Sequence, residues 1–319
     1  MIGRAIVAVA ALLAAAAPAS AQDFPNRVVR IIIPLAAGGG GDVFTRGLAN
    51  ELQKAWGQPV VVENRPGGSL LIGTRACAEA APDGHTICVL SSDPIVYSQF
   101  LFKKLPYDPE KDFEPIANLF FNTLALVANK SLGVSTLPEL IALAKARPGT
   151  LSYATFSFPL VHFMEKLKRE TGADLVRVPF RGGNEVVTAV LSGSTPVALL
   201  ALSNMVPHLQ SGRIVALAVN SKARSQLIPE VPTFAEAYGE TYAQSWFGLF
   251  APAGTPPPIL ARIARDVTRI VDDPAFRRRM YLDRGIEPAA ERLADFARFI
   301  GEDRKVAGQI VAESGFQPE

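Results

Sequence analysis

Residues Arg30–Phe44 read RIIIPLAAGGGGDVF. An apolar run of strand length leads into four consecutive glycines and an aspartate. A strand that is apolar all along must be covered on both faces, as happens inside a helix-flanked parallel sheet. The next stretch, DVFTRGLANELQKAWG, places Val43, Leu48, Leu52 and Trp56 at helical spacing. Asp42 is placed as its N-cap and Gly57 as its C-terminal stop. PVVVENR is strand-like again, and PGG is the turn after it. Strand, helix and strand in succession make a βαβ unit, whose strands are parallel and joined by a right-handed crossover. The chain is therefore of the α/β class.

The alternation continues. TICVLSS, LSYATF, ADLVRVP and RIVALAVNS read as strands. LPELIALAKA, VHFMEKLKRETG and NEVVTAVLSG read as helices, and the tail from PPPILARIARDV onward reads as helical throughout. Two segments, VRIIIPLAAGGGGDVFTRGLANEL and DLVRVPFRGGNEVVTAVLSG, share the outline strand, proline, glycines, helix. This weak repeat predicts two α/β units of similar build, a number that 319 residues can supply.

The N-terminus reads as a signal peptide. Arg4 gives the charged start, Ala5–Pro18 an apolar region too short to span a bilayer, and Ala19-Ser20-Ala21 a cleavage site. Residues 1–21 are expected to be removed on export to the periplasm. Gln22, not a cysteine, directly follows the site, so a lipid anchor is not indicated. A formal net charge of +2 without a long basic run argues against nucleic acid as a partner. Arg277–Arg279 read as a solvated helix face. Export permits a disulfide between Cys77 and Cys88. Two buried free thiols fit the sequence equally well, since separation along the chain does not fix the Cα distance.

The glycine run invites nucleotide readings, and its spacing removes them. No P-loop lysine follows. In a dinucleotide fingerprint the last glycine would fall on Val43 or Phe44. The chain has no G-x-S-x-G, S-x-x-K or H-E-x-x-H, and His85, His162 and His208 stand far apart. Neither a catalytic group nor a cofactor is indicated. Bare amides at a helix start favour an anion, and the nearby Asp42 carboxylate disfavours a dianion. Two readings of the turn stand: a main-chain cradle for one carboxylate, or a turn that only packs a helix on a sheet.

Motifs along the chain add to this. RIIIPLAAGGGGD, GQPVVVENRPGG, APDGHTI, LPYDPEKDFEPIA, VPFRGG, RIVALAV, VPTFAEA and SWFGLFAPAGTPPPI follow one another in order. The chain resembles the solute-binding proteins of tripartite tricarboxylate transporters, the Bug receptors, from about Phe24 to about Gln317. The resemblance implies a two-lobed periplasmic-binding-protein fold of the Venus-flytrap kind, each lobe a mostly parallel sheet flanked by helices. Lobe 1 would take residues 24–124 plus 247–319, and lobe 2 residues 125–246. It also implies a monomeric receptor that grips a small carboxylate between the lobes and meets membrane transporter subunits or a periplasmic sensor domain.

Carried over by position, the first-lobe loop is Leu35, Ala36, Ala37, Gly38, Gly39, Gly40 and Asp42. Leu35 stands where Phe or Tyr is usual. Ser91 and Ser92 fall in a second loop of that lobe, where capping a turn is an equal reading. In the second lobe Phe180, Arg181, Gly182 and Gly183 match the family turn. Thr155, Phe156, Ser157 and His162 belong to YATFSFPLVH, the segment that departs most from the pattern. It is one residue shorter, and Phe156, Phe158 and Pro159 stand in place of glycines. The usual downstream aspartate is Leu200 here. Fewer polar groups and more aromatic surface lead to the expectation that the ligand's far end is apolar or aromatic. The competing readings are a receptor that feeds a sensor kinase, a loop that no longer binds, and an enzyme acting on a bound acid.

Overall fold

The computed structural model describes residues 24–180, 182–239 and 244–318. The leader segment and its cleavage site, residues 1–21, lie outside the described residues. The first strands are β1 (Val29–Ile33), β2 (Val60–Asn64), β3 (Thr86–Ser91) and β4 (Phe113–Asn122). Then come β5 (Leu124–Asn129), β6 (Leu151–Thr155), β7 (Leu175–Pro179), β8 (Val197–Ala201) and β9 (Ile214–Val219). The chain returns with β10 (Trp246–Pro252) and β11 (Ile286–Pro288).

These strands form two sheets, ordered β11-β4-β10-β3-β1-β2 and β7-β6-β8-β5-β9. The expected two-lobed α/β fold is present, but parallel pairing is confined to part of each sheet. β1 pairs in parallel with β2 and β3, and β6 with β7 and β8. β10 runs antiparallel to β3 and β4, and β5 antiparallel to β8 and β9. The sheets are mixed because each accepts a strand, β10 or β5, from a chain that has just crossed from the other lobe and enters from the cleft end, and β11 adds a further antiparallel edge to the first.

The apolar runs are covered on both faces, as their composition requires. In the first sheet Ile31 and Ile33 join Phe44, Leu48 and Leu52 of helix Gly40–Trp56 on one side. Ile32 joins Leu90, Trp246 and Phe296 on the other, under helix Leu293–Ser314. In the second sheet Leu126, Tyr153 and Leu199 face one core, while Ala125, Ala154 and Leu200 face another. Cys77, on helix Leu71–Ala78, is disulfide-bonded to Cys88 of β3, with Cα atoms 6.2 Å apart. The open choice between bond and free thiols thus resolves to a bond.

Three local expectations are corrected. Helix Gly40–Trp56 starts two residues before Asp42, and its N-cap is Gly39 in an extended conformation. Asp42 sits in the first turn instead, where a carboxylate still faces the positive helix end. The C-terminal tail is not helical throughout. Gly285, at φ +62°, ends a turn of helix, and β11 then pairs with the end of β4. The sequence repeat also matched the wrong partners. By strand order and direction, β1 corresponds to β6, and β2 to β7. The counterpart of the glycine turn is therefore the aromatic turn FSFP after β6.

Candidate ligand-binding site

In sheets of this kind ligands bind beyond the carboxyl ends of the parallel strands. The turns that follow β1, β3, β6 and β8 lie at such ends. After β1, Leu35 is half-buried against the first core, while Ala36, Ala37 and Gly38 are exposed. Gly38 has φ +88°, a conformation open chiefly to glycine. Gly39 and Gly40 are half-buried.

Asp42 is 2% exposed. Its carboxylate accepts hydrogen bonds from the Gly38 N–H at 2.9 Å, Arg46 Nε at 3.0 Å and Asn64 Nδ2 at 2.8 Å. Burial alone would raise its pKa. The donors, led by Arg46, outweigh burial and hold the carboxyl below its ordinary range. Its charge is thus spent within the turn, which lessens its repulsion of a nearby anion.

The glycine turn reaches the other lobe. Gly40 N–H donates to Asn204 Oδ1 at 3.0 Å. A Cβ on Gly40 would lie 2.3 Å from Ser203 Oγ, so this glycine is needed for close approach across the cleft. On the far side, a Cβ on Gly183 would lie 3.5 Å from Asn204 Nδ2 and from a Leu200 methyl. Three helices therefore begin around one side chain: Gly40–Trp56, Gly183–Ser192 and Leu202–Gln210. Their N-caps, Gly39, Gly182 and Ala201, make no side-chain capping hydrogen bond. Each such end carries partial positive charge and N–H groups without intrahelical partners. Brought together from two lobes, they favour an anion between them.

The other site residues from the sequence divide into two groups. Ser91 and Ser92 are buried at the end of β3, and the Ser92 hydroxyl lies 3.4 Å from that of Ser245 beside the second lobe crossing. Thr155 is fully buried at the end of β6, and its hydroxyl has no partner among the described residues. Phe180 is half-buried against the second lobe's core, Gly182 is extended, and Arg181 lies outside the described residues. The aromatic turn behaves differently. Phe156 packs into the second lobe's own core. Ser157 is the N-cap of helix Phe158–Thr171, with Pro159 in its first turn. Phe158 reaches the first lobe, with ring centroids 6.4 Å from Tyr97 and 5.2 Å from Phe316. His162 stacks on Phe158 at 6.2 Å. Burial, then Arg169, lowers its pKa, so it is neutral near pH 7.

Sequence reasoning missed Ser203 and Asn204. The available signal was their position directly after the strand run VALLAL, at the carboxyl end of a parallel strand. The chain crosses between lobes at Thr123 and again before Trp246, and the two crossings are tied together. Asn122 N–H donates to Ser245 O at 2.7 Å, and Leu124 N–H to Asn220 Oδ1 at 2.6 Å.

Known proteins share this construction. The profile of the tripartite tricarboxylate transporter family receptor matches residues 44–316. BugT of Bordetella pertussis is 34% identical over 304 residues, covering 94% of this chain and 93% of its own. A solved structure of Rpa4515 from R. palustris with adipate superimposes with a TM-score of 0.87 at 27% identity, covering 93% of this chain and 100% of that one. MatC from Rhodopseudomonas palustris with bound malate superimposes with a TM-score of 0.81 at 31% identity, covering 90% and 100%. This chain belongs to the tripartite tricarboxylate transporter receptor family.

Proposed function

We propose that the protein is an exported receptor that captures a small organic carboxylate between its lobes and delivers it to a tripartite membrane transporter. The observation that carries this is the meeting of three helix N-termini at Gly40, Gly183 and Asn204. Main-chain amides of the Leu35–Gly40 turn, apart from those of Gly38 and Gly40 that Asp42 and Asn204 take, supply donors from lobe 1, and the starts of the Gly183 and Leu202 helices supply them from lobe 2. Lobe 1 comprises residues 24–124 plus 247–319 and lobe 2 residues 125–246, to within one residue of the paired crossings that form the hinge, since Leu124 pairs in the second sheet and Trp246 in the first. Export removes the leader after Ala21.

The ligand is a carboxylate with an apolar far portion. Leu200 is buried and apolar. Phe156 and Phe158, however, are engaged in protein packing, as Leu200 is in the same core, so the apolar wall rests on the half-buried Leu35 more than on those rings. The neighbours that bind adipate and malate make these two acids the natural probes. The test is a thermal-shift panel of adipate, benzoate, malate, citrate, aspartate and glutamate, followed by calorimetric titration of any acid that stabilises. Adipate or benzoate is expected to raise the melting point more than citrate or the amino acids. A protein that responds to none of them is not a carboxylate receptor.

A further inference from the structure

Asn204 was not among the expected contacts, yet its side chain stands between the two lobes' helix starts. The Gly40 N–H is a donor, so the atom that meets it at 3.0 Å has to be the acceptor Oδ1. That fixes the orientation of the carboxamide. Its acceptor is committed to lobe 1, and its Nδ2 lies on the side of Gly183 and Leu200. Leu200 brings no polar group to that side. The part of Asn204 left to face the cleft is therefore a pair of N–H donors.

We infer that Asn204 is a specificity-determining residue of the carboxylate site, with its Nδ2 donating to a ligand oxygen. The inference rests on the receptor reading above and names the second-lobe side chain that would enforce it. A ligand atom at Nδ2 must be an acceptor, so a carboxylate oxygen is accepted and an ammonium group is refused. A carboxylate at position 204 would keep the Gly40 hydrogen bond and reverse what the ligand meets, presenting an anion in place of a donor.

The test compares wild type, Asn204→Asp and Asn204→Ala with two six-carbon probes, adipate and the corresponding terminal diamine, by calorimetric titration and thermal shift. Loss of one hydrogen bond weakens adipate about tenfold in Asn204→Ala. A like charge across the contact weakens it roughly 100-fold or more in Asn204→Asp. Without ligand, Asn204→Asp keeps the wild-type melting point because it keeps the Gly40 bond, and Asn204→Ala melts lower. The diamine binds Asn204→Asp better than wild type. A merely structural role, that of holding Gly40, would weaken adipate in Asn204→Ala, spare Asn204→Asp and leave the order of acid and diamine unchanged, which would overturn the assignment. So would Asn204→Asp binding adipate as wild type does. A wild type that answers to no carboxylate overturns the receptor reading itself and the assignment with it, a result distinct from either of the others.

Discussion

The turns after β1 and β6 occupy equivalent places in their sheets, and they are built in opposite ways. The first is LAAGGGGD: exposed backbone, a buried aspartate tied to its own turn, and a close approach to Ser203 and Asn204. The second is FSFP: one ring in its own core, another laid across the cleft on Tyr97 and Phe316, and a proline in the first helical turn. Both lead from a parallel strand into a helix that lacks a side-chain cap. One location in the fold thus exposes main chain in one lobe and holds the lobes together by side chain in the other. The first turn should be sensitive to added atoms, and the second to removed ones.

The support behind each turn differs most and gives the largest expected effect. Cys88 lies opposite Ile32 of β1, so the disulfide braces the strand that carries the glycine turn, and with both cysteines of the chain used there β6 has no such staple. Its cysteines are 11 residues apart, a loop whose closure is worth about 3 kcal/mol. Reduction should lower denaturant stability by about that amount and loosen lobe 1 before lobe 2, as read by hydrogen exchange. Uniform loosening would remove the contrast in support.

Next is the added atom. Gly40→Val should weaken the bound acid by roughly 100-fold, or about 2.7 kcal/mol, because the new side chain meets Ser203 and holds the lobes apart. Titration calorimetry reads the affinity, and an unchanged circular dichroism spectrum separates this from unfolding.

Then comes the removed one. Phe158→Ala deletes a half-buried ring that joins the lobes, a loss of about 2 kcal/mol. Small-angle scattering should show a more extended molecule. Unchanged dimensions would mean that Phe158 is only a core residue of its own lobe.

The smallest effect concerns the patch that receives Phe158. Asp93 lies near Tyr97, and burial pushes its carboxyl up to about 6. A raised carboxyl stabilises the fold while protonated, and that contribution is lost as pH rises from about 4 through about 6. Asp93 remains partly open to water, so the penalty at neutral pH is on the order of 1 kcal/mol. Asp93→Asn should be more stable than wild type at pH 7.5 and equal to it at pH 4 in urea unfolding.

The first βαβ unit was legible because its signals are local. A continuous apolar run gives way within a few residues to helical spacing, and Gly57 closes the helix in a left-handed conformation. β11 was not legible. It is three residues long, and its partner is the end of β4, far back in the sequence. The glycine run could be read as a turn at a helix start, but the reason Gly40 itself is glycine could not, since Asn204 is 164 positions away. The apparent repeat misled for a related reason. Proline and glycines mark a turn before a helix wherever it occurs, whereas equivalence between sheets depends on strand order, which no single segment contains.

The insertion of β10 between β3 and β4 also bears on how the molecule is assembled in time. The second sheet draws on one continuous stretch, residues 124–219, so all its strands are at hand once that stretch has emerged. The first sheet has no such opportunity. Its β3 and β4 do not touch each other, and the strand that joins them spans residues 246–252. A chain made or threaded from its N-terminus therefore completes the later lobe first. Until then the earlier one keeps two unpaired strand edges waiting, the kind of surface that chaperones shield and that other chains invade.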